Sequence, residues 1–267
     1  MIQSHHFQST PFRFSSFAAI ALLSFVAIAA RTATAVPIVH GNFPALTVDF
    51  LGVQEESATD PGPALFGPPT IAGDSMDFNP QAFAATSTGL DSDQTDSNLQ
   101  FTIMAKTGKQ INNVSFTEAG DTTLTGLAGE AQTTVGATIF IDITQASIGG
   151  VLTPVNVNVP IGAMVFAPKS NFLRSVDGAG TKSWTGAVSV NLAPALAAAG
   201  INGVATKVFV TLDNTLSAAS VAGTSAFIQK KDADGLVVTV NIPEPATFAT
   251  ALMALVIGGG VARRRRS

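Results

Sequence analysis

The 267-residue chain contains no cysteine and no tyrosine, and it has one tryptophan and three histidines. Without cysteine it has neither disulfides nor thiol chemistry, so its folded part must be stabilised by its core alone. Two of the histidines lie near the N-terminus, which leaves His40 as the single histidine of the central part. A Ser-His-Asp triad or a zinc site would depend on that one side chain. We therefore expect neither kind of site.

Basic residues are concentrated at the two ends of the chain, and residues 36–242 between them are acidic. An acidic surface repels phosphate backbones, so nucleic acid is excluded as an expected partner. This central body is roughly 200 residues long, which is enough to form one domain with its own core.

Residues 1–35 have the pattern of a secretory signal. Arg13 ends a polar segment, an uncharged apolar stretch follows, and Ala33 and Ala35 form an A-x-A cleavage site. We expect an N-terminal signal helix that signal peptidase removes after Ala35, which leaves Val36 as the new N-terminus. The alternative is an N-terminal anchor that is not cleaved.

The C-terminal segment, residues 243–267, combines three features. The motif Pro243, Glu244, Pro245 comes first, residues 246–262 then carry no charge, and the chain closes with a basic tail. Seventeen helical residues rise about 25 Å, which predicts a transmembrane helix. The prolines hold Glu244 on a non-helical segment. Four arginines favour the cytoplasmic side of the membrane and act as a stop, namely Arg263, Arg264, Arg265 and Arg266.

This arrangement resembles the PEP-CTERM sorting signal of Gram-negative bacteria over about the last 25 residues. The resemblance implies recognition by an exosortase, a membrane-embedded cysteine protease or transpeptidase, and cleavage near residues 243–245. Those residues would be substrate, not catalyst. It further implies transient anchoring in the inner membrane, followed by release or attachment at the cell surface, often beside exopolysaccharide. A permanent anchor and a buried core helix are the alternatives, and the terminal arginines argue against the second.

The body has the alternation of apolar and polar residues that is typical of strands, with little helix. We predict a mainly β fold, an antiparallel β-sandwich, with a Pro/Gly-rich loop over residues 54–80 and a short helix at 194–199. A parallel β-helix is the alternative, but no fixed repeat supports it. The predicted strands are residues 46–51, 99–106, 111–117, 137–144, 155–159, 163–166, 187–192, 207–212, 225–229 and 236–242.

Two hairpins follow from the turn residues. Strands 99–106 and 111–117 are predicted to pair through a turn at 107–110. The last two strands are predicted to pair through residues 231–235, which end in Gly235. Lys230 and Lys231 would then form a charged hairpin tip that discourages edge-to-edge pairing.

Asp91, Asp93 and Asp96 lie close together in a polar stretch and could supply oxygen ligands to calcium. The stretch lacks the glycine and glutamate of an EF-hand loop, and a plain solvated loop is the favoured interpretation. No metal or other cofactor is therefore predicted, and calcium is a candidate only.

Two further groups of residues are candidate sites. Carboxylate pairs can hydrolyse glycosides, and Glu118, Asp121, Glu130 and Asp142 lie in or beside strands, but no spacing marks a pair. Trp184 could form a ligand platform, although core packing is the commoner fate of such a ring. Its aromatic and apolar neighbours in sequence are Phe166, Phe172 and Leu173.

Taken together, these patterns predict an exported bacterial surface or extracellular-matrix protein with a structural or adhesive role and no enzymatic activity. Its expected partners are signal peptidase, the exosortase and, before processing, the inner membrane. A polysaccharide-binding module assisted by calcium is the alternative, with extracellular polysaccharide as its partner. A surface enzyme acting on glycans is the third possibility.

Overall fold

The computed structural model describes residues 36–231 and 234–242. The predicted signal helix, the sorting motif and the predicted transmembrane helix lie outside these residues. None of the helices among these residues has the length and hydrophobicity of a membrane span.

Strands dominate the described body, because β-branched and aromatic residues alternate with small polar ones over long stretches. Two short helices, α1 (Arg174–Asp177) and α2 (Ala193–Ala198), interrupt them, and α2 confirms the predicted helix at 194–199. The strands are β1 (Ile38–Pro44), β2 (Val48–Glu56), β3 (Thr70–Ala72), β4 (Ser75–Phe78), β5 (Ala84–Thr88), β6 (Asp91–Ala105), β7 (Asn113–Gly126), β8 (Ala131–Ile148), β9 (Val151–Ala163), β10 (Val165–Ala167), β11 (Asn171–Leu173), β12 (Gly180–Asn191), β13 (Val204–Ser220), β14 (Thr224–Lys230) and β15 (Leu236–Asn241).

The strands form two antiparallel sheets. The first sheet has the order β1-β2-β6-β13-β8, with β9 and β11 both paired to β8. The second has the order β10-β12-β7-β15-β4-β3, with β14 paired to β7 and β5 paired to β14. The predicted mainly β, antiparallel architecture is confirmed, and the parallel β-helix is excluded for the described residues.

The core lies between the two sheets, because every second residue of the long strands points inward. In β13 the inward set includes Val208, Val210 and Leu212, and in β7 it includes Phe116 and Leu124; all five are buried. This period-two burial is what the alternation in the sequence predicts for half-buried strands.

The predicted hairpin between residues 99–106 and 111–117 is wrong. The first stretch belongs to β6 in the first sheet, and the second belongs to β7 in the second sheet. Buried Ile111 explains the crossing, because its N–H donates to the carbonyl of Ala205 at 2.8 Å and fixes the connection across the end of the core. Both strands thus bury their apolar faces across the core and do not pair.

The predicted hairpin through residues 231–235 is also wrong. Strands β14 and β15 run end to end along the same side of β7, with Lys230 opposite Gly120 and Leu236 opposite Glu118. Strand β7 is long enough to pair with both, one after the other.

The predicted loop over residues 54–80 is only partly a loop. Its beginning extends β2, and its end forms the edge pair β3–β4. The irregular part between them is held by the buried carboxylate of Glu55, which accepts the N–H groups of Leu65 and Phe66 at 2.9 Å each and that of Gly67 at 3.0 Å. This anchoring places Phe66 in the core.

Gly120 of β7 is a position where the fold tolerates no side chain. An added Cβ would overlap the indole ring of Trp184 and the carbonyl oxygen of Gln229. We expect Gly120→Ala to destabilise the body by about 1–3 kcal/mol, because the ring and the backbone must shift. Chemical denaturation of the purified protein measures this. Gly136→Ala is the matched control, since a Cβ there meets no atom, and equal losses for the two variants would contradict the packing described.

Candidate functional site

Three polar side chains point inward from the facing sheets and meet in the middle of the core. Glu118 lies on β7 and Lys230 on β14 of the second sheet, and Asn214 lies on β13 of the first sheet. All three are buried, with exposed fractions of 2%, 1% and 0%. Buried charge and amide groups are costly unless they satisfy one another, and these three do so across the gap between the sheets.

The three groups contact one another pairwise. Lys230 Nζ lies 2.7 Å from Glu118 Oε2 and donates to Asn214 Oδ1 at 3.0 Å. Asn214 Nδ2 donates to Glu118 Oε1 at 2.7 Å. The contact to Oε2 has the length of an ion pair, although that oxygen accepts no hydrogen bond of good geometry within the described body. Because the electrostatic attraction depends on the Nζ–Oε2 distance, Lys230 and Glu118 are a directly paired amine and carboxyl group.

Aromatic rings enclose the amine of Lys230. Its Nζ lies 5.5 Å from the ring centre of Phe66, 5.1 Å from that of Phe83 and 5.8 Å from that of Trp184. Ring faces attract a cation, and they also keep water away from it. Trp184 is held in place by Phe166, whose ring meets it edge to face with centres 5.9 Å apart.

Burial lowers the pKa of Lys230, and the attraction of Glu118 opposes this only in part. The low-dielectric surroundings disfavour the ammonium form, as expected for a lysine fully removed from water. The site therefore holds an amine inclined to give up its proton, a carboxyl group that can take it, and an amide carbonyl in contact with the amine. These are a nucleophile, a general base and acid, and an electrophile.

The prediction that Lys230 lies at an exposed hairpin tip is wrong, because the side chain faces the core. The register of β14 could have indicated this, since Thr224, Ala226 and Ile228 are buried and Lys230 follows at the same spacing. Asn214 was missed in the same way, as it continues the inward set of β13.

The four carboxylates considered for glycoside hydrolysis lie in different surroundings. Glu118 is the one in the buried cluster. Asp121 accepts the hydroxyl of Ser183 at 2.6 Å, and Asp142 accepts the amide of Asn158 at 2.9 Å. Glu130 lies in a turn before β8 and accepts backbone N–H groups. Each therefore has its own partners, and the structure does not bring them together.

The calcium candidates Asp91, Asp93 and Asp96 lie in β6, and the predicted solvated loop is wrong for these residues. Alternation places Asp96 on the opposite face from the other two. Asp93 accepts the N–H of Thr86 at 2.8 Å, and Asp96 accepts that of Thr59 at 2.7 Å. In the described part of the chain, no three His, Cys, Asp or Glu side chains are grouped as a metal site would require.

His40 and Trp184 both have structural surroundings. His40 lies in β1, and its Nε2 is 2.8 Å from Glu55 Oε1. Trp184 is 1% exposed, so the expected core packing is confirmed and the ring presents no surface platform. The indole Nε1 has no hydrogen-bond partner among the described residues.

The predicted sorting residues lie outside the described part of the chain, as do the signal-cleavage residues Ala33 and Ala35. Their neighbours are described, however. Strand β1 begins at Ile38 and β15 ends at Asn241, so the first and last described strands lie within a few residues of the two predicted cleavage regions.

No protein-family model matches the chain, and no curated protein matches it. Among solved structures, the carbohydrate-binding module TmCBM61 in complex with beta-1,4-galactotriose is 13% identical, with 66% of this chain and 90% of that chain covered and a TM-score of 0.19. Endoglucanase 3 of Trichoderma harzianum, from family GH12, is 9% identical, with 78% and 95% covered and a TM-score of 0.16. At such scores neither likeness bears on function.

Lys230→Ala should destabilise the body strongly. It empties the space among three rings and leaves Glu118 and Asn214 buried without their common partner, which costs about 3–5 kcal/mol. Denaturant unfolding measures the loss. The neighbouring Lys231→Ala is the control and should change stability by less than about 0.5 kcal/mol. Similar effects of the two substitutions would show that Lys230 is not buried as described.

Asp96 stabilises the loop after β2 in a pH-dependent way. Burial alone would raise its pKa, but hydrogen bonds from Thr59, Ala58 and Ser57 outweigh burial and hold the pKa below its usual value. A carboxyl with a lowered folded-state pKa stabilises the fold above its unfolded pKa, and this contribution is lost as pH falls through the folded value.

We therefore expect Asp96→Asn to lower the melting temperature at pH 7, with the difference from wild type closing as pH falls below about 4. Melting curves between pH 2 and pH 7 test this. Asp142→Asn, which changes one exposed hydrogen-bond acceptor, serves as the control. A difference for Asp96→Asn that stays constant over this range would contradict the assignment.

Proposed function

We propose that the chain is an exported bacterial surface or extracellular-matrix protein whose body has a structural or adhesive role. In this proposal signal peptidase removes residues 1–35, the C-terminal helix anchors the chain in the inner membrane for a time, and an exosortase cuts near residues 243–245. The product is then released or attached at the cell surface. The observation that carries the proposal is the ordered array of motif, apolar span and arginines at residues 243–267.

The placement of the body between the two processing signals supports this proposal. Strand β1 starts three residues after Ala35, and β15 ends two residues before Pro243. Strand β15 is an interior strand, paired with β7 on one side and β4 on the other. Cleavage at either proposed position therefore removes none of the strands β1 to β15, and the processed body keeps both sheets.

The character of the body supports a structural role over a catalytic one. Its strands are long, reaching 18 residues in β8, and the cluster of Glu118, Asn214 and Lys230 is sealed between the sheets. A carboxyl group that no substrate can reach, such as Glu118, does not serve a surface glycan-active enzyme.

Processing is tested by recovering the protein from a Gram-negative host with an exosortase and from the same host after deletion of that enzyme. We expect the mature protein of the first host to lack arginines 263–266 in intact-mass measurement, and the second host to retain them. Glu244→Ala should also retain them, because the enzyme would recognise the Pro-Glu-Pro motif. Mature wild-type protein that still carries these arginines in the first host would overturn the proposal.

A further inference from the structure

The buried cluster of Glu118, Asn214 and Lys230 contains everything required to form an amide bond. It has an amine, a carboxyl group and a carboxamide in mutual contact, and the proposed sorting of the protein makes no use of them. An ordinary core would fill this space with apolar side chains, since a buried ion pair gains little over them.

We propose that Lys230 and Asn214 become joined by an isopeptide bond between Nζ and Cγ. Glu118 transfers the protons in this reaction, and ammonia is released. The bond would link β14 of the second sheet to β13 of the first sheet. It would be a covalent connection between the two sheets in a chain that has no cysteine.

The geometry places the reacting atoms together. Nζ touches Asn214 Oδ1 at 3.0 Å, and the carbonyl carbon lies only one C=O bond, about 1.23 Å, from that oxygen. Holding nucleophile and electrophile in such contact replaces the entropy loss of a bimolecular encounter. The sheets and the rings of Phe66, Phe83 and Trp184 exclude water, which protects the product from hydrolysis.

Glu118 is placed to move protons between the two nitrogens. Its Oε2 lies 2.7 Å from Lys230 Nζ, and its Oε1 accepts Asn214 Nδ2–H at 2.7 Å. One carboxyl group therefore contacts both the attacking and the leaving nitrogen. Burial, which lowers the pKa of Lys230, helps the amine to lose its proton.

The steps balance without an oxidant or any other reactant. The Lys230 ammonium gives one proton to Glu118, and the neutral amine attacks Asn214 Cγ to form the new C–N bond. A second proton passes from Nζ to Nδ2 through the carboxyl group, the Cγ–Nδ2 bond breaks, and ammonia leaves. The five nitrogen-bound protons end as one on the new amide, three on ammonia and one on Glu118. The buried ion pair is thereby replaced by a neutral amide and a neutral acid.

A tryptic digest of the denatured full chain tests the bond directly, because residues 208–230 between Lys207 and Lys230 contain both partners. An acylated lysine is not cleaved by trypsin. We expect a peptide of residues 208–231 that is lighter than its sequence by about 17 Da, the mass of the ammonia lost in nucleophilic displacement. Its fragment spectrum should show no backbone cleavages between residues 214 and 230, since that segment is a closed ring.

The same digest separates the other outcomes. A linear peptide 208–230 of full mass, with a complete fragment series, would overturn the proposal. A loss of the same mass with a complete fragment series between 214 and 230 would indicate a succinimide at Asn214 and would also overturn it. Both readings are independent of the cuts at the chain ends, so failure here leaves the proposed sorting untouched.

Two variants test the assigned roles. Glu118→Gln keeps the shape of the cluster but cannot carry the protons, and it should slow bond formation by at least about 100-fold, so that peptide 208–230 appears at full mass. Lys231→Arg is the matched control and should remain linked. A linked peptide in Glu118→Gln would contradict the role of Glu118. If that variant does not fold, the wild-type digest alone decides whether the bond exists.

Discussion

The contact of Lys230 with Asn214 and Glu118 is the constraint on which the packing of both sheets depends. A lysine amine can lie in an apolar core only when its charge and its donors are matched. Here the match comes from both sheets at once, because Glu118 lies on β7 and Asn214 on β13. A slip of β14 by one residue would turn Lys230 to the surface and leave a buried carboxyl group alone. The cluster thus fixes the register of β14 and the alignment of the sheets together.

Distant parts of the chain are arranged around this contact. Glu55 on β2 accepts three backbone N–H groups of the following loop and so positions the ring of Phe66 beside the amine of Lys230. Gly120, opposite Lys230 on β7, has no side chain, and the indole of Trp184 occupies that space. The loop, the glycine and the tryptophan have one effect in common, which is to surround a buried cation with rings and to exclude water.

The positions of many strands could be predicted from the sequence, but their pairing partners could not. Alternation predicted β8, β12 and β13 because each buries one face, and that is a local property. Pairing is not local: residues 99–106 and 111–117 look like a hairpin, yet they belong to different sheets. The buried cluster was hidden for a similar reason. Two lysines before Asp232 resemble a polar turn, and only the continued period of β14 and the presence of β7 beside both β14 and β15 turn Lys230 inward.

The position of the cluster gains meaning from the proposed attachment of the C-terminus. A mechanical force applied at the C-terminal end of the body acts first on β15, which passes it to β7 and β4 through their hydrogen bonds. The first sheet shares that load through the core and through connecting segments such as residues 221–223 between β13 and β14. The contacts in the core are non-covalent and weaken if water enters between the sheets. A disulfide cannot reinforce this chain, because it has no cysteine. An amide bond between Lys230 and Asn214 can do so, since it needs no oxidant and forms only after folding has brought the two side chains together.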